Sequence, residues 1–414
     1  MFTFLWCPSN APVPAEGGHR DDFIGFFGTR SRGEMRRQDL ERLQVPYSPE
    51  EAATRGAFAA RVGARIDEVR ELHDAVFDDL DGTTFGIGWW TSMPTRERIL
   101  VADHLVLSLH SVQVNLIDAR LHFLGALDSW EREQSFRARS VVVGRSGLPE
   151  VNLPKITSAH DELAEHQAQL HVVGLFRAAG SALDCLGAAM AIILALPIDV
   201  QRKATLQSVR NSLKRKEPWN TEASAFRGSF EQTIMKAGPA GWLDWALDYR
   251  NLLVHRARRT ELVLIEPTSH VLGPDGRPVA RANLRRQLAR QPELSDIEAF
   301  TRMRTTPPVL TEDAESTLNG LLESLGFTIA EASRSLLGVW RRRRASPGSI
   351  PQPAEKWERV APSTETTPFS GYNPGTVPFR VTQITMPQAG LTRLRAADLK
   401  AQGSTQGVWD DPEE

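Results

Sequence analysis

The stretch DYRNLLVHRARR, Asp248 to Arg259, places a guanidinium, a carboxamide and an imidazole within six residues. Arg250 is followed by Asn251, then by Leu252, Leu253 and Val254, then by His255. On a helix, Asn251 and His255 stand four apart and share a face. Arg250 lies roughly 140° from His255 at 3.6 residues per turn, and its long side chain can curl toward the same rim. Arg256, Arg258 and Arg259 continue the positive surface as candidate RNA-binding residues.

These groups suit cleavage of an RNA backbone without metal, in which the 2′-hydroxyl attacks the adjacent phosphate. A histidine moves protons near neutral pH because its own pKa lies close by. An arginine holds phosphate oxygens in a two-pronged grip as charge builds. Asn251 can orient either partner. No cofactor is implied.

A helix must present the motif. Trp242, Trp245, Tyr249, Leu252 and Leu253 recur at three- and four-residue steps and mark its buried stripe. Before it, capping signals and apolar periodicity predict helices from Pro49 to about Asp79, from Pro94 to about Leu127, and from about His160 to Leu196, where Pro197 ends the run. Asp199 is read as the cap of a further helix reaching about Lys216, and Thr221 or Glu222 opens another that GPAG interrupts at 238–241. After the motif, ELVLIEP and HVLGPDGRPVA alternate like strands, and the GPDG turn predicts a β-hairpin. A long helix from about Glu312 to Arg343 ends in WRRRR.

The expected architecture is mainly α: a helical bundle with a small β-hairpin and an extended C-terminal tail. Its parts are a loosely structured arm at 1–47, a helical region at 48–156, a bundle core at 157–260, the hairpin and long helix at 261–344, and a Pro/Thr-rich tail at 345–414.

The whole chain sets limits. With a formal net charge of -2, the molecule is no polycation, so any nucleic-acid contact needs a local basic patch. Two cysteines, Cys7 and Cys185, exclude a disulfide framework and fit a reducing compartment. MFTFLWCPSN does not read as a signal peptide, and the most apolar run, AAMAIILALP, is about half a bilayer span. The expectation is a cytoplasmic protein without a membrane anchor.

Other constellations are read as structural. Arg98 and His104 repeat a similar spacing in a strongly apolar helix without the polar residue after Arg. His160, His166 and His171 stand six and five apart, against the three or four that metal-binding helices use. RRRR at 341–344 suits a helix C-terminus, and alternatively lines an RNA groove with the basic helix at Arg202–Lys216. No Gly-rich phosphate loop and no nucleophile elbow is present.

LDYRNLLVHR resembles the signature of HEPN domains (higher eukaryotes and prokaryotes nucleotide-binding): Arg, a polar residue, then His after four to six positions. GLFRAAGSALDCLGAAM is similar to the opening helix of such domains, so the resemblance covers about 157–260. It implies an α-helical bundle, many of whose members are metal-independent endoribonucleases acting as dimers with two motifs facing across a composite cleft. It also implies a toxin–antitoxin, abortive-infection or other defence setting, with an antitoxin or a nucleotidyltransferase as partner. By motif matching, Arg250 and His255 carry over as catalytic and Asn251 as the polar position. Asp184 carries over as a supporting residue on the earlier helix. Some members are inactive binding modules, so a non-catalytic domain binding RNA, a nucleotide or a partner protein stands beside the nuclease. A helical scaffold with an accidental Arg/His pair is the third reading. The segments at 1–156 and 261–414 match no named pattern.

Overall fold

A computed structural model describes residues 49–81, 86–90, 95–137, 141–143, 149–151, 159–198, 200, 204–214, 220–256, 261–272, 278–290, 309–351 and 371–372. The arm at 1–47, Asp199 and most of the Pro/Thr-rich tail lie outside these residues.

The described chain is mostly helical. The first expected helix is in fact two, α1 (Pro49–Val62) and α2 (Asp67–Asp78). Gly63 divides them at φ +76. Its N–H donates to the Ala60 carbonyl, and the Ala64 N–H reaches back to Ala59 across 2.8 Å. This is the Schellman end, which satisfies the last carbonyls with a left-handed residue. Arg120 from the next helix donates Nε to the Val62 carbonyl at 3.0 Å. Val69, Leu72, His73 and Val76 then give α2 one buried face.

Helix α3 (Thr95–Arg137) runs about ten residues past the expected stop at Leu127. Ser129 donates to the Gly125 carbonyl at 2.7 Å, and Trp130 and Glu133 are buried. Packing continues the helix where the composition turns polar. Two short strands, β1 (Val141–Val143) and β2 (Pro149–Val151), pair antiparallel inside the expected helical region at 48–156.

Helix α4 (Ala159–Ile193) lies antiparallel along α3: His122 meets His171, and Arg132 meets Gln167. It also ends in a Schellman turn, with Leu196 N–H bonded to Ala191 and Ala195 N–H to Ile192. Ala195 itself takes the left-handed position at φ 49, where glycine is usual.

Three shorter helices follow: α5 (Leu206–Lys214), α6 (Thr221–Ala237) and α7 (Trp242–Arg256). The start of α5 is later than sequence signals place it. Thr205 caps it, since Ser208 N–H donates to Thr205 Oγ1 and Ser208 Oγ accepts from Thr205 N–H. Asn220 caps α6 by accepting from Ala223 N–H at 3.0 Å. Beyond the motif, β3 (Glu261–Leu272) and β4 (Pro278–Leu288) pair antiparallel, with a register shift between Thr268 and Val271; the GPDG turn lies outside the described residues. Helix α8 (Ala314–Ala345) starts at Asp313, whose side chain accepts from Ser316 N–H.

One apolar core joins α1 to α8 and takes in Leu288 at the end of β4. Trp340, Tyr249 and Phe176 are among its largest fully buried side chains. By length and composition, α3 and α4 each hold an 18-residue window apolar enough to cross a membrane; 56% and 78% of those windows are buried within this fold. The apolar run Ala188–Pro197 alone gives no such signal.

Candidate functional site

The expected stripe of α7 is buried. Trp242, Tyr249, Leu252 and Leu253 are at most 8% exposed, and Trp245 packs partly buried against the core. Tyr249 sets its ring, tilted, 4.5 Å from Phe176 of α4 and 5.0 Å from Trp245. Each large side chain fully buried here stabilises by about 1.5–3 kcal/mol. This aromatic contact sets the rotation of α7 against α4 and so aims the next residue, Arg250.

Arg250 turns toward α4. Its Nη2 donates to Asp184 Oδ2 at 3.1 Å, with the two side chains 28% and 25% exposed. The other carboxylate oxygen, Oδ1, accepts from Leu206 N–H at 3.2 Å, at the first turn of α5. Asp184 therefore holds the arginine and sits where the partial positive charge of a helix start favours an anion. Gly180, one turn before Asp184, makes room: a Cβ there would stand 2.6 Å from Arg250 Nε. Gly187 does the same for α5, whose Leu206 nitrogen would be 2.8 Å from an added Cβ. Both glycines escape motif reading. Their signal is a spacing, since Gly180 and Asp184 stand four apart on one face.

A partly exposed ion pair contributes about 1 kcal/mol or less. That is smaller than the aromatic contact beside it, so α7 is held without the Arg250–Asp184 pair.

Asn251 is exposed on α7. His255 lies one turn further on, in the last turn; its side chain and that of Arg256 fall outside the described part, as do Arg258 and Arg259 altogether. The structure thus brings Arg250 and Asp184 together and leaves the approach of Arg250 to His255 undescribed. Cys185, beside Asp184, is no ready nucleophile: burial pushes its thiol pKa up, and the Asp184 charge adds to that.

Each arginine of the run at 341–344 has a partner within the fold. Arg341 pairs with Glu71 of α2 at 3.2 Å. Arg342 makes a two-pronged pair with Glu222 of α6, at 2.7 and 2.6 Å. Arg343 is buried, donates to the Leu194 carbonyl at 3.2 Å, and has its pKa lowered to about 10 by burial. Arg344 pairs with Asp79. On α5, Arg210 is tied to Asp244 at 2.9 Å and to Glu231 at 3.4 Å. Arg98, of the second Arg/His spacing, donates to the Gly88 carbonyl at 2.9 Å, and burial lowers the pKa of His104.

No family model, no curated protein and no solved structure matches this chain.

Proposed function

We propose that the chain is a metal-independent endoribonuclease of HEPN type. It acts on RNA in the cytoplasm as a two-fold dimer, in a bacterial toxin or antiphage-defence setting with an antitoxin or nucleotidyltransferase partner. The reading is carried by one observation: a partly exposed Arg250, steadied by Asp184 on a helix that does not depend on the pair for its place.

In this mechanism Arg250 holds the phosphate oxygens as charge develops on them. His255 takes the proton from the 2′-hydroxyl. The oxygen attacks phosphorus, the P–O5′ bond breaks, and a 2′,3′-cyclic phosphate and a 5′-hydroxyl result. The leaving 5′-oxygen needs a proton, and one motif holds one imidazole. A second protomer supplies His255 as the acid, and an isologous interface is the commonest way to bring two copies of a site together. Asn251 orients the imidazole or the phosphate.

A second reading rests on the same pair. A guanidinium that already holds a carboxylate has less charge to offer, which favours a non-catalytic domain binding RNA, a nucleotide or a partner protein. Cleavage of RNA in excess EDTA separates the two. The nuclease should leave cyclic-phosphate ends and spare both DNA and 2′-O-methyl RNA, whose attacking group is absent or blocked. Loss of cleavage in EDTA, or equal cutting of DNA, overturns the assignment of Arg250 and His255.

A further inference from the structure

Along α4 alone, His160, His166 and His171 share no common face. The partner of His171 comes from α3. His122 Nδ1 and His171 Nδ1 are 3.2 Å apart, with ring centroids 5.4 Å apart and planes tilted by 56°. Both residues are partly buried.

The pair is built by the same local pattern on both helices. His122-Phe123-Leu124-Gly125 on α3 and His171-Val172-Val173-Gly174 on α4 have the same form: His, two apolar residues, Gly. Because the helices run antiparallel, each imidazole lies over the other helix's glycine. A Cβ at Gly125 would collide with the His171 ring, and one at Gly174 with the His122 ring. Phe123 and Val172 meanwhile point into the core. A glycine inside a helix weakens it. Two such glycines and two polar rings stand where apolar residues would pack at lower cost, so packing alone does not account for them.

We propose that His122 and His171 form a two-imidazole site for a borderline first-row divalent metal ion, of the Cu²⁺, Ni²⁺ or Zn²⁺ class. Metal–nitrogen bonds of about 2.0–2.1 Å put two ligands about 3.3–3.4 Å apart around tetrahedral Zn²⁺ and about 2.8–3.0 Å apart at right angles around Cu²⁺ or Ni²⁺, which brackets the separation found. Imidazole suits these ions, whereas Mg²⁺ and Ca²⁺ prefer oxygen. Among the described residues, no three His, Cys, Asp or Glu side chains are grouped to hold a metal. With two protein ligands, water can complete the coordination and the ion is exchangeable. Asp118, one turn before His122, supplies a negative charge that acts on the His122 ring. Without metal, the 3.2 Å separation is a hydrogen bond in which one ring donates Nδ1–H to the other. Binding requires that donor to carry its proton on Nε2 instead, so both Nδ1 lone pairs face the ion.

The site is separate from the proposed reaction centre. His171 and Asp184 are thirteen residues apart on α4, about 20 Å along the axis. Occupancy should therefore leave RNA cleavage unchanged, and either reading can fail alone.

The test uses the untagged full chain, stripped of metal and titrated with CuCl₂. Electron paramagnetic resonance should show one exchangeable Cu²⁺ per chain with coupling to two imidazole nitrogens. His122→Gln and His171→Gln should each weaken that binding at least tenfold, while His166→Gln, at an exposed histidine of α4, leaves it unchanged. Coupling to a single nitrogen in the unaltered protein, or unchanged Cu²⁺ affinity in the folded His122→Gln and His171→Gln variants, overturns the site. The spectrum of the unaltered protein decides the matter even if a variant fails to fold.

Discussion

Trp340 on α8 donates its indole Nε1 to the carboxylate of Asp79 across 2.7 Å, joining residues 261 positions apart. The carboxylate is 2% exposed and also holds Arg344. Trp340 packs edge-on to Trp89 and Trp90 above it. Asp79→Ala leaves the buried indole N–H without an acceptor and should cost about 2–3 kcal/mol. Asp79→Asn keeps an acceptor and should cost roughly half as much. Urea unfolding would measure both; equal losses would show that the charge matters and the indole bond does not.

Ala195→Gly should stabilise the protein. A left-handed alanine costs roughly 1–2 kcal/mol, partly offset by the extra freedom glycine gives the unfolded chain, for a net gain of about 0.5–1 kcal/mol. Thermal unfolding of the variant checks the sign. A lower melting temperature would mean that the Ala195 methyl packs usefully at the end of α4.

Gly125→Ala should destabilise by about 1–3 kcal/mol, because the new methyl meets the His171 ring. In a His171→Ala background the same change should cost much less. A double-mutant cycle reads the difference, and additivity would disprove the contact.

Acid should weaken the fold through His110. Burial, then the charges of Arg55 and His73, lower its pKa from 6.5 to about 3. The unfolded chain takes up that proton as pH falls through 6.5, while the folded chain resists it down to about 3. The stabilising contribution is thus complete above pH 6.5 and declines through that window. His104 and His122 are shifted in the same direction and act with the same sign. Melting temperature should fall between pH 6.5 and 5, above most carboxylate titration, and His110→Gln should flatten that slope. An unchanged slope would assign the loss to other groups.

At the candidate site, three substitutions should rank differently in two assays. His255→Ala should lower RNA cleavage by about 10²–10⁴-fold, the usual contribution of a general acid or base. Arg250→Ala should abolish cleavage while costing about 1 kcal/mol of stability or less. Asp184→Ala should do the reverse, costing about 1–2 kcal/mol because it also frees the first turn of α5, while cleavage falls but persists. Cleavage rates and melting curves on the same preparations test the ranking, and full activity in Arg250→Ala would end the nuclease reading.

Sequence patterns carried the helical class and the existence of α6, α7 and α8, because caps and three-to-four spacing are local. They were weaker wherever a distant residue decides. Gly63 looks like one more residue of a helix until Arg120 bonds the Val62 carbonyl. The extension of α3 depends on Glu133 pairing with Arg286 of β4, 153 residues away. At the site, Arg250 and Asp184 could be named from the motif, but Gly180 and the α5 start that surround them come from tertiary packing. The partners of the arginine run were out of reach for the same reason: Glu71, Asp79, Glu222 and the Leu194 carbonyl all lie far away in the sequence.

Those partners impose an order on how the molecule can be made. Arg341 closes on Glu71 and Arg344 on Asp79 across 270 and 265 residues. At about 5–20 residues per second, a ribosome needs roughly 15–50 s between the two ends of such a contact. During that interval the apolar faces of α2 and α3 wait for α8. The last helix to emerge acts as a clasp, so a chaperone has a long period in which to hold the nascent chain. A premature stop before Trp340 should leave an open, aggregation-prone intermediate in place of a slightly shortened protein.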